Sequence, residues 1–254
     1  MKILVTFAVE PEFAAFRKLR HFAESRIGEL SVFQSQMGRA SVDVILTGMG
    51  PANATRAAEI AMSVPHTICI SSGFCGALRS EHQVGDILAA RAVQRLNKSK
   101  TIECSKGLVT AAWGDGAKIA EKFFSCDEIV ATAQEKTRLA PFADCVDMES
   151  YSVLEAANQR KLSSVAIRVV SDRFDQDMPV DFSTTVDDKG NVRVRGVLKQ
   201  VALHPIQIPA LIRLGRESKS AAQGIANFLE AYIKKLSFST HGRPPADLLD
   251  VATR

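Results

Sequence analysis

The sequence predicts a single-domain, three-layer α/β/α fold built on a mixed, mainly parallel sheet. Three observations carry that expectation. Apolar runs of strand length alternate with helix-period segments from residue 3 to residue 171, as in a sheet covered by helices. The chain has 254 residues, 46% of them hydrophobic and 24% charged, which is enough to bury one large core without covalent staples. Two of the apolar runs end in acids, Val146-Asp147 and Val170-Ser171-Asp172, with one helix-period segment between them. Ligands of open α/β sheets bind outside the carboxyl ends of the strands, so two such acids mark a candidate site.

In chain order, residues 3–8 read as a buried strand. Residues 11–24 read as a helix, with Pro11 suited to its first turn. Residues 30–37 and 41–47 read as a hairpin around Gly38-Arg39. Gly48-Met49-Gly50-Pro51 turns into a helix over 52–63. Residues 67–72 form a strand ending at Gly73-Phe74-Cys75-Gly76, and Val84-Gly85-Asp86 leads into a strand over 87–94. Residues 108–112 and 128–131 read as short strands. Thr132-Ala133-Gln134-Glu135 is a capping-box pattern opening a helix to Leu139, because the Thr and Glu side chains each satisfy a free N–H of the first turn. A strand over 144–147, a helix over 148–161 and a strand over 164–171 complete the alternation. Between 176 and 201 the periodicity fails, and Pro179, Gly190 and Gly196 predict a long loop. Residues 205–236 read as helical with a break near Gly215. The domain then spans 1–236, and 237–254, with Pro244-Pro245, forms a polar tail.

Composition narrows the function classes. The formal net charge is +4, from 32 basic and 28 acidic residues, and no basic stripe with interleaved aromatics appears, so no nucleic-acid partner is expected. The cysteines, Cys69, Cys75, Cys104, Cys126 and Cys145, form no C-x-x-C and have no histidine at zinc spacing. They read as buried free thiols of a cytoplasmic protein without a metal site. No apolar run approaches a membrane span. The N-terminal run is too short for a signal peptide and is followed at once by Glu10 and Glu12. Gly48-x-Gly50-x-x-Asn53 sits where a dinucleotide fingerprint would, but the third glycine and the later strand-end acid are missing, so no cofactor is expected. It reads instead as a tight turn whose backbone approaches another element or a ligand. Gly73-Phe74-Cys75-Gly76 is either a plain turn or a set of N–H groups facing a ligand.

Glu10, Glu12 and Glu149 each have a plain reading, complementing a helix dipole from its first turn. Asp172 has one as well, capping a turn. Their occurrence at successive strand ends is more specific than any one of them. At that level the motifs resemble a known family. Ala8-Val9-Glu10-Pro11-Glu12, Thr47-Gly48-Met49-Gly50, Ser72-Gly73-Phe74-Cys75-Gly76-Ala77-Leu78, Val84-Gly85-Asp86, Val146-Asp147-Met148-Glu149-Ser150 and Arg168 to Asp172 are collinear with the motifs of methylthioadenosine/S-adenosylhomocysteine nucleosidases. These belong to the purine nucleoside phosphorylase/nucleosidase superfamily. The Asp and Ser of Val146 to Ser150, the stretch Val130-Ala131-Thr132-Ala133-Gln134-Glu135-Lys136 and the Pro205 to Leu211 pattern are similar to the hopanoid-associated phosphorylases, a branch proposed to be adenosylhopane nucleosidases.

The resemblance implies a nucleoside phosphorylase-like fold and residue roles. Asp172 would protonate N7 of the departing purine and hold a proton to do so. Glu149 would bind the ribose hydroxyls, Met148 would offer an N–H and an apolar surface to the sugar, and Glu12 would activate water. Ile129 and Val130 would wall the base, and Gly50, Gly73 and Phe74 would supply backbone contacts near sugar and nucleophile. The relatives imply a homodimer, and a lipid nucleoside as substrate would imply a transient contact with a membrane surface. Phosphorylases of the superfamily carry an early G-D-P-x-R and an arginine before the central glycine turn, and this chain has neither, so water is favoured over phosphate as nucleophile. Phe74 replaces a small hydroxyl residue and Asp147 a Glu. The apolar segment 197–212 reads either as a packed connection or as a wall beside the 5′ end of the nucleoside. Three functions stay open on sequence alone: hydrolysis of a 5′-substituted adenine nucleoside, phosphorolysis to ribose 1-phosphate, and non-catalytic nucleoside binding.

Overall fold

The computed structural model describes residues 1–178 and 208–238. Most of the loop read over 176–201, most of the segment 197–212 and the tail beyond residue 238 lie outside the described residues. The first strand, β1 (Lys2–Phe7), is buried because Ile3, Leu4, Val5 and Phe7 leave Thr6 as its one inner polar side chain. Helix α1 (Glu10–Lys18) follows and packs Phe13 and Phe16 into an aromatic cluster with Phe7, Phe22 and Phe33. It stops short of Glu24, because Ala23–Ile27 forms β2 instead. That segment has a helix-like composition, yet as a sheet edge it takes its hydrogen bonds from β3 (Leu30–Met37) across a turn at Gly28, whose φ is +59°. β3 and β4 (Ala40–Leu46) form the expected hairpin around Gly38-Arg39.

The next elements are α2 (Pro51–Ala61), β5 (Ile68–Ala77), β6 (Ile87–Arg95) and β7 (Thr101–Glu103). They are followed by α3 (Lys106–Gly114), β8 (Lys118–Ser125), α4 (Ala133–Leu139), β9 (Cys145–Asp147), α5 (Ser150–Gln159), β10 (Ser163–Asp172) and α6 (Ile208–Phe238). Several expectations are corrected. Residues 108–112 lie in helix α3, where Leu108, Val109 and Ala112 share a buried face at helical spacing and Tyr232 of α6 donates to the Leu108 carbonyl at 2.8 Å. Residues 128–131 form no strand, and the strand of that region is β8. α6 runs through Gly215 without a break. β5 does not turn at Gly73 but continues to Ala77, because β10 and β9 pair along its second half.

The sheet is mixed, as expected. β1–β4, β1–β5, β5–β10, β6–β8 and β8–β9 pair in parallel, while β2–β3, β3–β4, β5–β9, β6–β7 and β6–β10 pair antiparallel. Its order is β10-β6-β8-β9-β5-β1-β4-β3-β2, and β10 also pairs with β5. Strands β5, β10, β6, β8 and β9 therefore close into a ring, which leaves no free edge among them. β1 adds to the outside of that ring. α2 packs on α5, and α1 and α3 pack on α6. All five cysteines are buried and free. β5 is the shared strand, flanked by β1, β9 and β10, so residues at the ends of all three converge on its second half.

Candidate active site

β5 carries two glycines that decide where acids sit. Gly73 lies opposite Arg168 on β10 and has φ +140°, a backbone state that side-chain-bearing residues rarely adopt. A Cβ built there would stand 2.7 Å from Glu12 Oε1, so only glycine admits this acid. Glu12 is the third residue of α1, and its carboxylate folds back over the helix start. Oε2 accepts from the N–H groups of Ala8 at 2.7 Å and Val9 at 3.3 Å, and Oε1 accepts from Phe74 N–H at 2.8 Å. Burial pushes the Glu12 carboxyl above its ordinary range, against the opposing pull of Arg168 and of these three donors.

Glu149 stands at the start of α5. Its Oε1 accepts from Gly50 N–H at 2.8 Å, at the start of α2. Gly48-Met49-Gly50 is thus a turn whose backbone approaches another element, and its amide serves a protein carboxylate. Met148 reaches the same turn, its Cε lying 3.8 Å from where a Cβ on Gly50 would be. Burial first, and then the charges of Asp147 and Glu12, push the Glu149 carboxyl up to about 8, in spite of Arg168 and the Gly50 N–H. Arg168, with no role assigned from sequence, interacts electrostatically with Glu12, Asp147 and Glu149. Arg168 is buried, its Nε donates to Asp147 Oδ2 at 2.9 Å and its Nη2 donates to Ser71 Oγ at 3.1 Å. Asp147 Oδ1 accepts from Ser125 Oγ at 2.6 Å and from Ser150 N–H at 3.3 Å. Asp147, read from sequence as one of two ligand-facing acids, is therefore consumed within the protein, while its neighbour Glu149 accepts from the Gly50 turn. Arg168 Nη1 is buried with no partner among the described residues. An arginine inside the apolar run 164–170 was the sequence signal for this cluster.

The second glycine, Gly76, sits three residues further along β5, about 10 Å at the usual strand rise. A register shift between Val170 and Asp172 brings Asp172 opposite it, and a Cβ on Gly76 would lie 2.9 Å from Asp172 Oδ2. Oδ1 accepts from Ser171 Oγ at 2.8 Å. Oδ2 receives a contact no sequence reading assigned: Nζ of Lys136, a lysine with no exposed surface, lies 2.5 Å away. The expected protonated Asp172 thus meets a lysine amine rather than an apolar wall. Ile129 and Val130 precede α4, and Val130 packs against the cluster of Leu78, Phe124 and Val146. Ala131 O accepts from Met178 N–H at 2.7 Å, which ties this wall to the segment after β10. A cleft of about 370 Å³ opens beside Asp172, lined also by Asp175, Asp177, Arg213 and Glu217.

The structure thus joins Glu12, Gly73 and Phe74 into one group and Gly50, Met148 and Glu149 into another. Arg168 interacts electrostatically with the acids of both, and Asp172 stands at the far end of the same strand. One cluster of potential metal ligands, Glu81, His82 and Asp144, occurs among the described residues, away from these groups. His82 Nε2 lies 3.9 Å from Asp144 Oδ1, but Asp144 already pairs with Arg79 Nε and accepts from Lys122 N–H, each at 2.9 Å, so a cation there would compete with an arginine. Chemically, the Glu12 end supplies negative charge against a developing cation and a carboxylate able to take a proton from water. The Asp172 end holds a carboxyl paired with the amine of Lys136.

Comparison with known proteins agrees with this architecture. A family model described as the phosphorylase superfamily matches residues 2–202. The fold is similar to a 5′-methylthioadenosine/S-adenosylhomocysteine nucleosidase of Campylobacter jejuni, with a TM-score of 0.72 at 16% identity over 92% of this chain and 99% of that one. A futalosine hydrolase of Helicobacter pylori gives 0.69 at 18% identity over 92% and 99%. A Neisseria meningitidis methylthioadenosine/S-adenosylhomocysteine nucleosidase complexed with methylthio-immucillin-A gives 0.68 at 19% identity over 92% and 99%.

Proposed function

The chain belongs to the phosphorylase superfamily, and from that premise we propose that it is a nucleosidase that hydrolyses the N-glycosidic bond of an adenine nucleoside bearing a 5′ substituent. The observation that carries this reading is the charge inventory beside Gly73. Glu12, Asp147 and Glu149 surround one guanidinium, Arg168, which Asp147 already pairs. A dianionic phosphate entering there would meet three carboxyl groups and one guanidinium that Asp147 already pairs, whereas water meets a carboxylate that can accept its proton. Arg168 Nη1, buried without a partner among the described residues, is a donor such a water could use.

In this reading Glu12 takes a proton from water as its oxygen attacks C1′ of the sugar, and Glu149 binds the ribose hydroxyls. Both carboxylates lie where oxocarbenium-like charge develops, so they stabilise the transition state more than the substrate. Met148 and the Gly50 turn line the sugar, Ile129 and Val130 wall the base, and Asp172 delivers a proton to the departing purine. Structural neighbours include enzymes named for nucleoside hydrolysis, which supports water over phosphate. Partly buried Phe74, whose N–H binds Glu12, fits an apolar 5′ group, as an adenosylhopane-like lipid nucleoside would present. Such a substrate would bring the enzyme to a membrane surface transiently, from the cytoplasm and as a homodimer. No helix among the described residues is long and apolar enough to cross one.

The test is a panel of adenosines with 5′ groups of increasing apolar length, monitored for free adenine with and without phosphate. Expected are phosphate-independent release and a kcat/KM that rises with tail length, since each buried CH₂ contributes roughly 0.8 kcal/mol. Phosphate-dependent ribose 1-phosphate would establish phosphorolysis instead. Tight adenine binding with no turnover of any nucleoside would establish a binding module.

A further inference from the structure

Lysine is rarely buried unless paired, and Lys136 has no exposed surface. Its Nζ contacts three oxygens: Asp172 Oδ2 at 2.5 Å, the Arg173 carbonyl at 2.7 Å and the Gln176 carbonyl at 3.1 Å. A neutral amine has two N–H groups and cannot donate to all three, whereas an ammonium has three donors and no acceptor. The three contacts are met in two ways, by an ammonium donating to all three with Asp172 a carboxylate, or by a neutral amine donating to the two carbonyls and accepting from a protonated Asp172, so the pair holds one proton between Nζ and Oδ2. Other charges nearby are engaged. Glu135 closes the capping box on Thr132, Asp177 accepts from Ala133 N–H, and Arg173 pairs with Asp175. Arg213 and Glu217 of α6 stand across the cleft from Asp172.

We propose that Lys136 and Asp172 act as one acid, with Lys136 storing the proton that Asp172 delivers to the leaving purine. The inference rests on the nucleosidase reading. As the C1′–N bond breaks, its electron pair moves onto the purine. One proton passes from Nζ to the Asp172 carboxylate and from that carboxylate to the purine nitrogen. Lys136 is left as a neutral amine with two N–H groups, the number needed to hold the carbonyls of Arg173 and Gln176. The loop therefore stays in place while Asp172 is released from its ion pair. Solvent returns the proton to Lys136 once the base departs. The arrangement resolves a conflict within the site: Asp172 faces a lysine, yet hydrolysis needs an acid there.

The experiment compares wild type, K136M, K136R and D172N for adenine release from 5′-butylthioadenosine between pH 5 and 10, with thermal unfolding and adenine binding as controls. At pH 8, K136M should lose on the order of 10²-fold in kcat, the usual contribution of a positioned acid. Its KM should change little, and its activity should return as pH falls and solvent supplies the proton in place of the lysine. K136R should keep adenine affinity but not restore kcat, because arginine does not give up its proton. Should K136M not fold, K136Q carries the same expectation, since it keeps an N–H donor but no ammonium. A K136R with wild-type kcat, or a K136M whose loss is the same at every pH, would reduce Lys136 to a structural support. If D172N matches wild type, the assignment of the base-side acid itself fails. If D172N is inactive while K136M retains wild-type kcat and profile, the relay alone fails.

Discussion

The two ends of β5's second half handle charge in opposite ways. Around Gly73 three carboxylates share one guanidinium, and the surplus is relieved in the empty protein by pushing the carboxyls of Glu12 and Glu149 upward. Around Gly76 one carboxyl meets one lysine amine, and the two share one proton. Breaking an N-glycosidic bond makes the sugar positive and the base negative. In the proposed reaction the carboxyls that can take up negative charge therefore lie on the sugar side, and the proton shared by Lys136 and Asp172 lies on the side of the leaving base. Neither arrangement favours the neutral substrate as much as the separated charges, which is how a preorganised site lowers a barrier.

That contrast breaks most severely at Arg168. R168M removes the single cation of the Gly73 end and leaves Asp147 buried and unpaired, which should cost about 3–5 kcal/mol of stability, read as a lower denaturation midpoint together with lost turnover. A variant as stable as wild type would show that the cluster is not held by this charge. Next come the acids themselves. E12Q should abolish hydrolysis and spare adenine affinity, with no rescue by phosphate. D172N should lower kcat by on the order of 10²-fold or more while the protein stays folded. If E12Q instead weakens adenine binding and leaves bound substrate reactive, the two ends have been assigned the wrong way round.

Smaller effects sharpen the same picture. G73A places a methyl group 2.7 Å from Glu12 Oε1 in a backbone state unfavourable to alanine, so Glu12 must move. Turnover should fall well before stability does, with a stability cost on the order of 1–3 kcal/mol for the strained conformation. A G73A enzyme with unchanged kcat would detach Glu12 from the chemistry. The last effect is pH dependence. With its carboxyl raised to about 8, Glu149 binds more protons folded than unfolded, so its contribution is fully present below the ordinary glutamate range and is lost as pH rises through about 8. Asp43, far from the site beside His66, Lys2 and Gln34, has the opposite sign. Its burial works against ionisation, but these partners prevail and hold it down to about 2, so its contribution is lost only as pH falls toward 2. Melting curves of E149Q should therefore lose the alkaline decline and keep the acid one. An unchanged alkaline limb would contradict the charge surplus at the Gly73 end.

The sequence made the architecture legible where one interaction dominates a segment. Buried strands such as β1 and β4 read from their apolar runs, and α4 read from its capping box, whose Thr132–Glu135 bonds are present. It misled where tertiary context outweighs local preference. The β-branched, apolar run in α3 imitates a strand, and the Ala and Glu of β2 imitate a continuing helix until the pairing with β3 is known. Of the site, the acids were visible because their positions at strand ends follow from the alternation. The partners of the cations were not. Lys136 looks like an ordinary helix-surface lysine in sequence, and only the segment after β10, folding back onto α4, buries it. Arg168 was conspicuous inside an apolar run, but its partner Asp147 seemed to be a ligand-facing acid until the structure paired the two.

The central claim is that water, held at the Glu12 end of the site, replaces the base at C1′. Reaction of a 5′-substituted adenosine in H₂¹⁸O with phosphate present tests it directly. The account predicts free adenine and a free sugar carrying one ¹⁸O at C1′, at a rate that phosphate does not change. Recovery of ribose 1-phosphate without the label would contradict it.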